Sequence, residues 1–228
     1  MTTPAFQRAR SAESKRRRSQ ALIDAARSLA LEDGVASVTL TAIAKRAGVH
    51  HSAMRRYFDS HKEVLLQLAA EGWTRWSGAV CEALAGEQAQ PRRLAEVLAT
   101  TLAADPLFCD LLANVPLHLE HEVDVDRVID FKKRTREPIT DMVGAIVSAT
   151  PSLDADGARD IVLSANALGA TLWQVTHPAK SLAAAQERDP DLMVIAVTDF
   201  TGTLLRLLTA TCLGIAGASR SEPERMKG

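Results

Sequence analysis

The chain has 228 residues, 46% of them hydrophobic and only 4% aromatic, with a net charge of −1. That length suits one large domain or a small one joined to a larger, and the abundance of Ala and Leu points to an all-α fold rather than a strand-based one. No apolar run approaches bilayer-spanning length, the N-terminal charges precede no secretory core, and three widely spaced cysteines (Cys81, Cys109, Cys212) suit a reducing cytoplasm.

The near-zero charge hides an asymmetry. Residues 1–62 carry twelve basic and five acidic side chains, leaving −8 on the remainder. A basic module on an acidic body points to an anionic partner at one end of the molecule.

In chain order, residues 1–13 read as a disordered basic arm. A first helix follows over about Ser14–Glu32, with Leu22, Ile23, Ala26, Leu29 and Ala30 on one side and Asp33-Gly34 as its stop. Thr39 is a natural N-cap for a second helix through Ala47. Gly48 permits a tight turn, and Ser52–Phe58 supplies a short third helix. "SHKE" at Ser60 reads as a capping box that opens a fourth helix to about Leu84. Further helices open at Pro91 and Pro106, with Pro116 kinking or ending the latter. They continue through 123–150, 154–177 and 190–217; "PAKSLAAAQERD" is a linker between the last two, and 218–228 is a disordered tail. The last two long helices are apolar on more than one face, which predicts burial against a second copy in a four-helix bundle.

Two short helices joined by a glycine turn describe a helix-turn-helix, with the motif at about 39–58. Ile43, Ala44 and Ala47 pack inward beside Val49, Met54 and Phe58, leaving His50, His51, Ser52, Arg55 and Arg56 outward. Such a helix reaches base edges in a major groove, while Thr39 and Thr41 offer hydroxyls and free amides to phosphate. Arg16, Arg17 and Arg18 in "ESKRRRSQ" add phosphate or minor-groove contacts.

"VTLTAIAKRAGVHHSAMRRYFDSHKEVLL", preceded by "ALIDAARSLALEDG", resembles the DNA-binding domain of TetR-family transcriptional regulators over roughly residues 15–70. The resemblance implies a helical dimer with a divergent C-terminal effector domain. It places Thr39 and Thr41 at phosphate, His51, Ser52 and Ala53 in the groove, and Tyr57 against backbone or bases. Two positions depart from the family pattern. Arg55 stands where Tyr is common, and His61 where a phosphate-binding Lys is usual, a role for which Lys62 is the substitute. The family's effector pocket lies beside the fourth helix, so Trp73, Trp76, Phe108, Phe131 and Trp173 are the candidate ligand-binding residues.

"HLEHE" (118–122) has metal-like spacing, but it follows Pro116 and has no cysteine nearby, so no metal site is assigned. No catalytic set or phosphate loop occurs, so neither an enzyme nor a cofactor is expected. The domains are therefore 14–62 for DNA and 63–217 for effector binding and dimerisation. The expected function is that of a ligand-responsive repressor, binding a palindromic operator as a homodimer in the cytoplasm, with no membrane partner. An activator, a regulator controlled by a protein partner and a non-specific DNA-binding protein are the alternatives.

Overall fold

A computed structural model describes residues 4–189 and 197–225, with side chains over 13–50, 52–189 and 197–218. Among the described residues there are ten α-helices and no strand. The first, α1 (Pro4–Asp33), ends where Gly34 takes φ 83° and its N–H closes on the Ala30 carbonyl at 3.0 Å. That left-handed geometry is open to glycine at little cost. After a 3-10 turn at Val35–Ser37, α2 (Leu40–Arg46) starts under Thr39, whose Oγ1 accepts the Ala42 N–H at 3.2 Å. Gly48, at φ 66°, turns the chain into α3 (His51–Met54).

The next helix, α4 (His61–Leu84), opens under Ser60 as expected, but the return bond of the capping box goes one residue further back, to Asp59 rather than to Ser60. Ser60 Oγ accepts the Glu63 N–H at 3.4 Å, and Glu63 Oε2 reaches back to the Asp59 N–H at 3.4 Å. Then come α5 (Pro91–Ala103) and α6 (Pro106–Asn114), each with proline in its first turn, where a missing N–H costs nothing. Pro116 ends α6 by widening the chain into one π-helical turn, Val115–Leu119. The rest is α7 (Val125–Ala149), α8 (Ala155–Thr176), α9 (Lys180–Arg188) and α10 (Phe200–Arg225). Pro138 stays inside α7, and its carbonyl accepts the Ser77 hydroxyl of α4 at 2.6 Å.

Several expected boundaries move. Residues 4–13 continue α1 instead of forming a disordered arm, and α10 carries the expected tail on to Arg225. The expected linker contains α9, which buries none of its residues. The last helix starts at Phe200, with Asp199 Oδ1 capping the Gly202 N–H at 2.9 Å, so Val197 precedes it; Val194, also expected in it, lies outside the described residues. Over Phe200–Ala218, α10 is long and apolar enough to cross a membrane (mean hydropathy 1.3), contrary to the reading of the sequence. Yet its inner face (Leu204, Leu208, Cys212, Ala216) is buried, and α10 packs on α5 and α8.

Two hydrophobic cores set the architecture. The N-terminal one joins Leu22, Ile23 and Ala26 of α1, Ile43 and Ala44 of α2, Met54, Phe58, and Leu65 and Leu68 of α4. It also takes in Leu107 and Leu111 of α6 and Phe131 of α7. The boundary expected at 62/63 therefore falls inside one continuous apolar cluster. The second core gathers Trp76, Leu98, Phe108, Ile146, Ile161 and Leu204 among others. Because α4 contributes to both cores, displacing it disturbs packing at either end.

Candidate nucleic-acid interface and effector cavity

The helix-turn-helix is held from behind. Ile43 and Met54 are fully buried, and Ala44 and Phe58 nearly so, with Ala47, Val49 and Tyr57 packed on their edge. Leucine- or isoleucine-sized groups buried in this way each contribute about 2–5 kcal/mol, which lets four residues persist as a helix. The outer side of α3 stays free: Ser52, Arg55 and Arg56 are exposed, and Ala53 is half-buried. His50 is exposed and caps α3, its Nδ1 3.3 Å from the donating Ser52 N–H and 2.9 Å from Ser52 Oγ. The side chain of His51, another candidate reader, lies outside the described side chains.

Thr41 is exposed beside Thr39 at the start of α2. Arg46 forks onto Glu32 at 2.6 and 2.7 Å, pinning α2 to the end of α1 and lowering the Glu32 carboxyl pKa through those hydrogen bonds. Arg16, Arg17 and Arg18 are exposed, but they stand on a helix rather than on a flexible arm. A helix about 10–12 Å across does not itself enter a minor groove about 6 Å wide, so only side chains projecting from it could reach that groove.

His61 is half-buried at the first turn of α4. Burial, and then the neighbouring Lys62, push its pKa down, so it is neutral at pH 7. Lys62 departs from its expected role as the substitute phosphate anchor. It donates to the His121 carbonyl at 2.8 Å and meets Glu122 Oε2 at 3.2 Å, just beyond the π turn. Glu122 holds φ 59°, the left-handed region that a side chain rarely adopts. Lys62 thus ties the reading head to the body.

Asp110, which the sequence reading missed, makes a second tie. Its Oδ2 accepts the Val35 N–H at 2.7 Å, while Oδ1 accepts from Gln174 of α8 at 2.9 Å and from Asn114 at 3.2 Å. The available signal was a single carboxylate inside the apolar run "PLFCDLLANV", since such a group is placed there only with partners.

Of the aromatic candidates, Trp73 and Phe131 line one cavity of about 470 Å3 between α4, α6, the π turn, α7 and α8. The volume lies within the range of small-molecule sites. Leu112, Val115, Ile139 and Val162 add apolar wall, and Glu120, Lys132, Arg159 and Asp160 supply charge. The other three candidates fall elsewhere. Phe108 is fully buried, edge-on to Trp73 with ring centroids 5.5 Å apart. Trp76 gives its indole N–H to Thr101 at 3.1 Å and faces a separate recess beside Arg27 and Arg75. Trp173 stacks on His177 at 3.7 Å and meets Phe200 edge-on, closing the end of α8 against α10. A further recess of about 710 Å3 lies across Leu112 and Pro116, between α6, α8 and α9; no charged side chain lines it and it does not touch α4.

Two family models match the chain in succession. Residues 22–68 match the model of bacterial regulatory proteins of the tetR family, and residues 70–218 that of the tetracyclin repressor-like C-terminal domain. The fold is shared with a solved protein of unknown function from Rhodococcus sp. RHA1 (21% identity over 87% of this chain and 95% of that one, TM-score 0.54). It is also shared with the multidrug binding protein EbrR complexed with imidazole (19%, 85% and 94%, 0.52). A third is Thermus thermophilus FadR, a repressor solved with lauroyl-CoA (18%, 79% and 96%, 0.51). No curated protein matches the chain in sequence. With both halves of the fold matched in order, the chain belongs to the tetR family of DNA-binding transcriptional regulators.

Proposed function

We propose that the protein is a cytoplasmic repressor that binds a palindromic operator as a homodimer and leaves it when a small organic effector enters the cavity lined by Trp73 and Phe131. The observation that carries this reading is the shared wall. Trp73 belongs to α4, the helix that follows the reading head, while Val115, Pro116 and Glu120 belong to the π turn and the residue after it. The segment just beyond that turn holds Lys62 at the start of α4. A ligand between these walls acts on the middle of α4 directly, and on its first turn through the segment that holds Lys62.

The operator-bound form needs the two α3 helices about 34–36 Å apart, in successive major grooves. An effector that prefers a different tilt of α4 lowers operator affinity by its difference in affinity for the two arrangements. Dimerisation through α8 and α10 is supported by apolar side chains that one chain leaves exposed on α10, Leu207 (40%) and Leu213 (41%).

The test is selection of bound fragments from genomic DNA, followed by anisotropy titrations on the recovered site. Recovered sites should show a two-fold repeat with half-sites one helical turn apart, and an excess of random duplex should not compete. Equal affinity for every duplex would replace this reading with that of a non-specific DNA-binding protein.

A further inference from the structure

We infer that the effector is an organic cation, an apolar body carrying one positive charge; the inference rests on the reading of this cavity as the effector site. Glu120 holds one carboxylate oxygen, Oε1, out of solvent. That oxygen is ion-paired with Lys132, whose Nζ stands 2.5 Å away. The same ammonium lies 5.3 Å from the centroid of the Phe131 ring. The protein's own lysine therefore marks a place where a cation meets a buried carboxylate and an aromatic face, the two features that recognise organic cations.

The two partners differ in how readily they leave. The Lys132 side chain is 59% exposed and Glu120 only 23%. Turning Lys132 into water gives up a surface ion pair, which is worth little. Leaving the Glu120 carboxylate unpaired costs more, because its Oε1 is out of solvent and has no water to replace the lost ammonium. A cationic ligand displaces the cheap partner and satisfies the costly one. An anionic ligand does the reverse: it must take Lys132 from Glu120 and leave the carboxylate buried and unpaired.

The remaining charges of the lining, Arg159 and Asp160, offset one another. Arg159 is held by Asp156, within one turn of α8. Asp160, also in the lining, has no ion pair among the described residues. Over the lining itself Glu120 and Asp160 balance Lys132 and Arg159, so the discrimination between ligands rests on the Glu120–Lys132 pair. Trp73 and Phe131 supply the aromatic wall, and the volume of about 470 Å3 leaves room for a hydrocarbon body beyond the charged head.

The experiment uses three probes with one tail and different heads: (4-phenylbutyl)trimethylammonium, 4-phenylbutanol and 5-phenylpentanoate. Binding to the full chain is followed by calorimetry and tryptophan emission, and operator release by anisotropy. The ammonium should bind at least tenfold more tightly than the other two. Glu120→Gln should remove that preference, and Lys132→Met, which clears the resident ammonium, should tighten the ammonium probe severalfold. Thermal melts establish that both variants fold. Tighter binding of the carboxylate, an unchanged preference in Glu120→Gln, or binding of none of the three would overturn the cation assignment. Release of the operator by the carboxylate or alcohol alone would sink the cation assignment and leave the effector reading standing. Tight ammonium binding without operator release would do the opposite.

Discussion

Arg55 has no ion pair among the described residues and stands exposed at the C-terminal end of α3, where a guanidinium can fork onto a guanine or rest on a phosphate. If it reads a base, Arg55→Ala weakens the cognate operator by about 1–3 kcal/mol and flattens the preference at one base pair. A uniform loss across all duplexes would make it a phosphate contact instead. Salt separates the remaining basic residues. Replacing any one of Arg16, Arg17 or Arg18 with Ala should reduce the slope of log affinity against log salt by about one. Lys62→Met should leave that slope unchanged, since its ammonium is bound to the His121 carbonyl and Glu122; a drop of one would restore it to the phosphate set. His61 adds a pH term: its folded pKa lies below the unfolded value, so it favours the fold above about pH 6.5, and that contribution is lost on acidification through the folded pKa. Thiol chemistry is graded by burial. Burial pushes the Cys109 and Cys212 thiols up to about 12, whereas Cys81 is half-buried. Alkylation of the native protein at pH 8 should label Cys81 first, and the other two only after denaturation.

At the scale of elements, the decisive contact is the crossing of α4 and α6. Gly72 packs directly on the Phe108 ring: a methyl group there would lie 2.1 Å from Phe108 Cδ2. Phe108 is fully buried between Trp73 and Trp76, so it has no room to retreat. Gly72→Ala should therefore cost about 1–3 kcal/mol by overpacking, despite the better helix propensity of alanine. Urea unfolding measures it, and a stabilised variant would show that α4 and α6 part easily. This crossing also explains what could be read in advance. Ile43 and Met54 were legible because local spacing alone puts them on the inner side of two short helices. Phe58 is buried as expected, but from the turn after α3, because the helix expected over Ser52–Phe58 ends at Met54. The caps at Thr39 and Ser60 were legible because side-chain oxygens bond amides only three residues away. The ties made by Lys62 to His121 and by Asp110 to Val35 and Gln174 were not, because those partners stand 59 or more residues off in sequence. Phe108 and Trp173 were misplaced as cavity wall for a related reason: aromatic side chains at helical spacing look alike in sequence whether they fill a core or line a hollow. The extent of α1 and α10 was underestimated because polar composition forbids burial but does not forbid helix.

Across the whole molecule, one helix faces two environments. The inner side of α10 (Leu204, Leu208, Cys212) is buried in its own chain, while Leu207 and Leu213 stand about two-fifths exposed on the outer side. Two leucines on one outer face of an apolar helix are the kind of surface that a partner covers. A lipid bilayer would require the buried face to be stripped from α5 and α8, opening the second core, whereas a second copy leaves that core intact. The double variant Leu207→Glu/Leu213→Glu tests the choice, since both changes lie outside the chain's own core and place like charges across a two-fold axis. Sedimentation should show monomers at concentrations where the unaltered protein is dimeric, with a melting curve that still reports a cooperative fold. Operator affinity should fall by roughly 10²-fold or more, because linking two half-site contacts multiplies affinity without new contacts. A double variant that stays dimeric with operator affinity intact would place the partner surface elsewhere on the molecule and leave the spacing of the two reading helices to be set by another pair of elements.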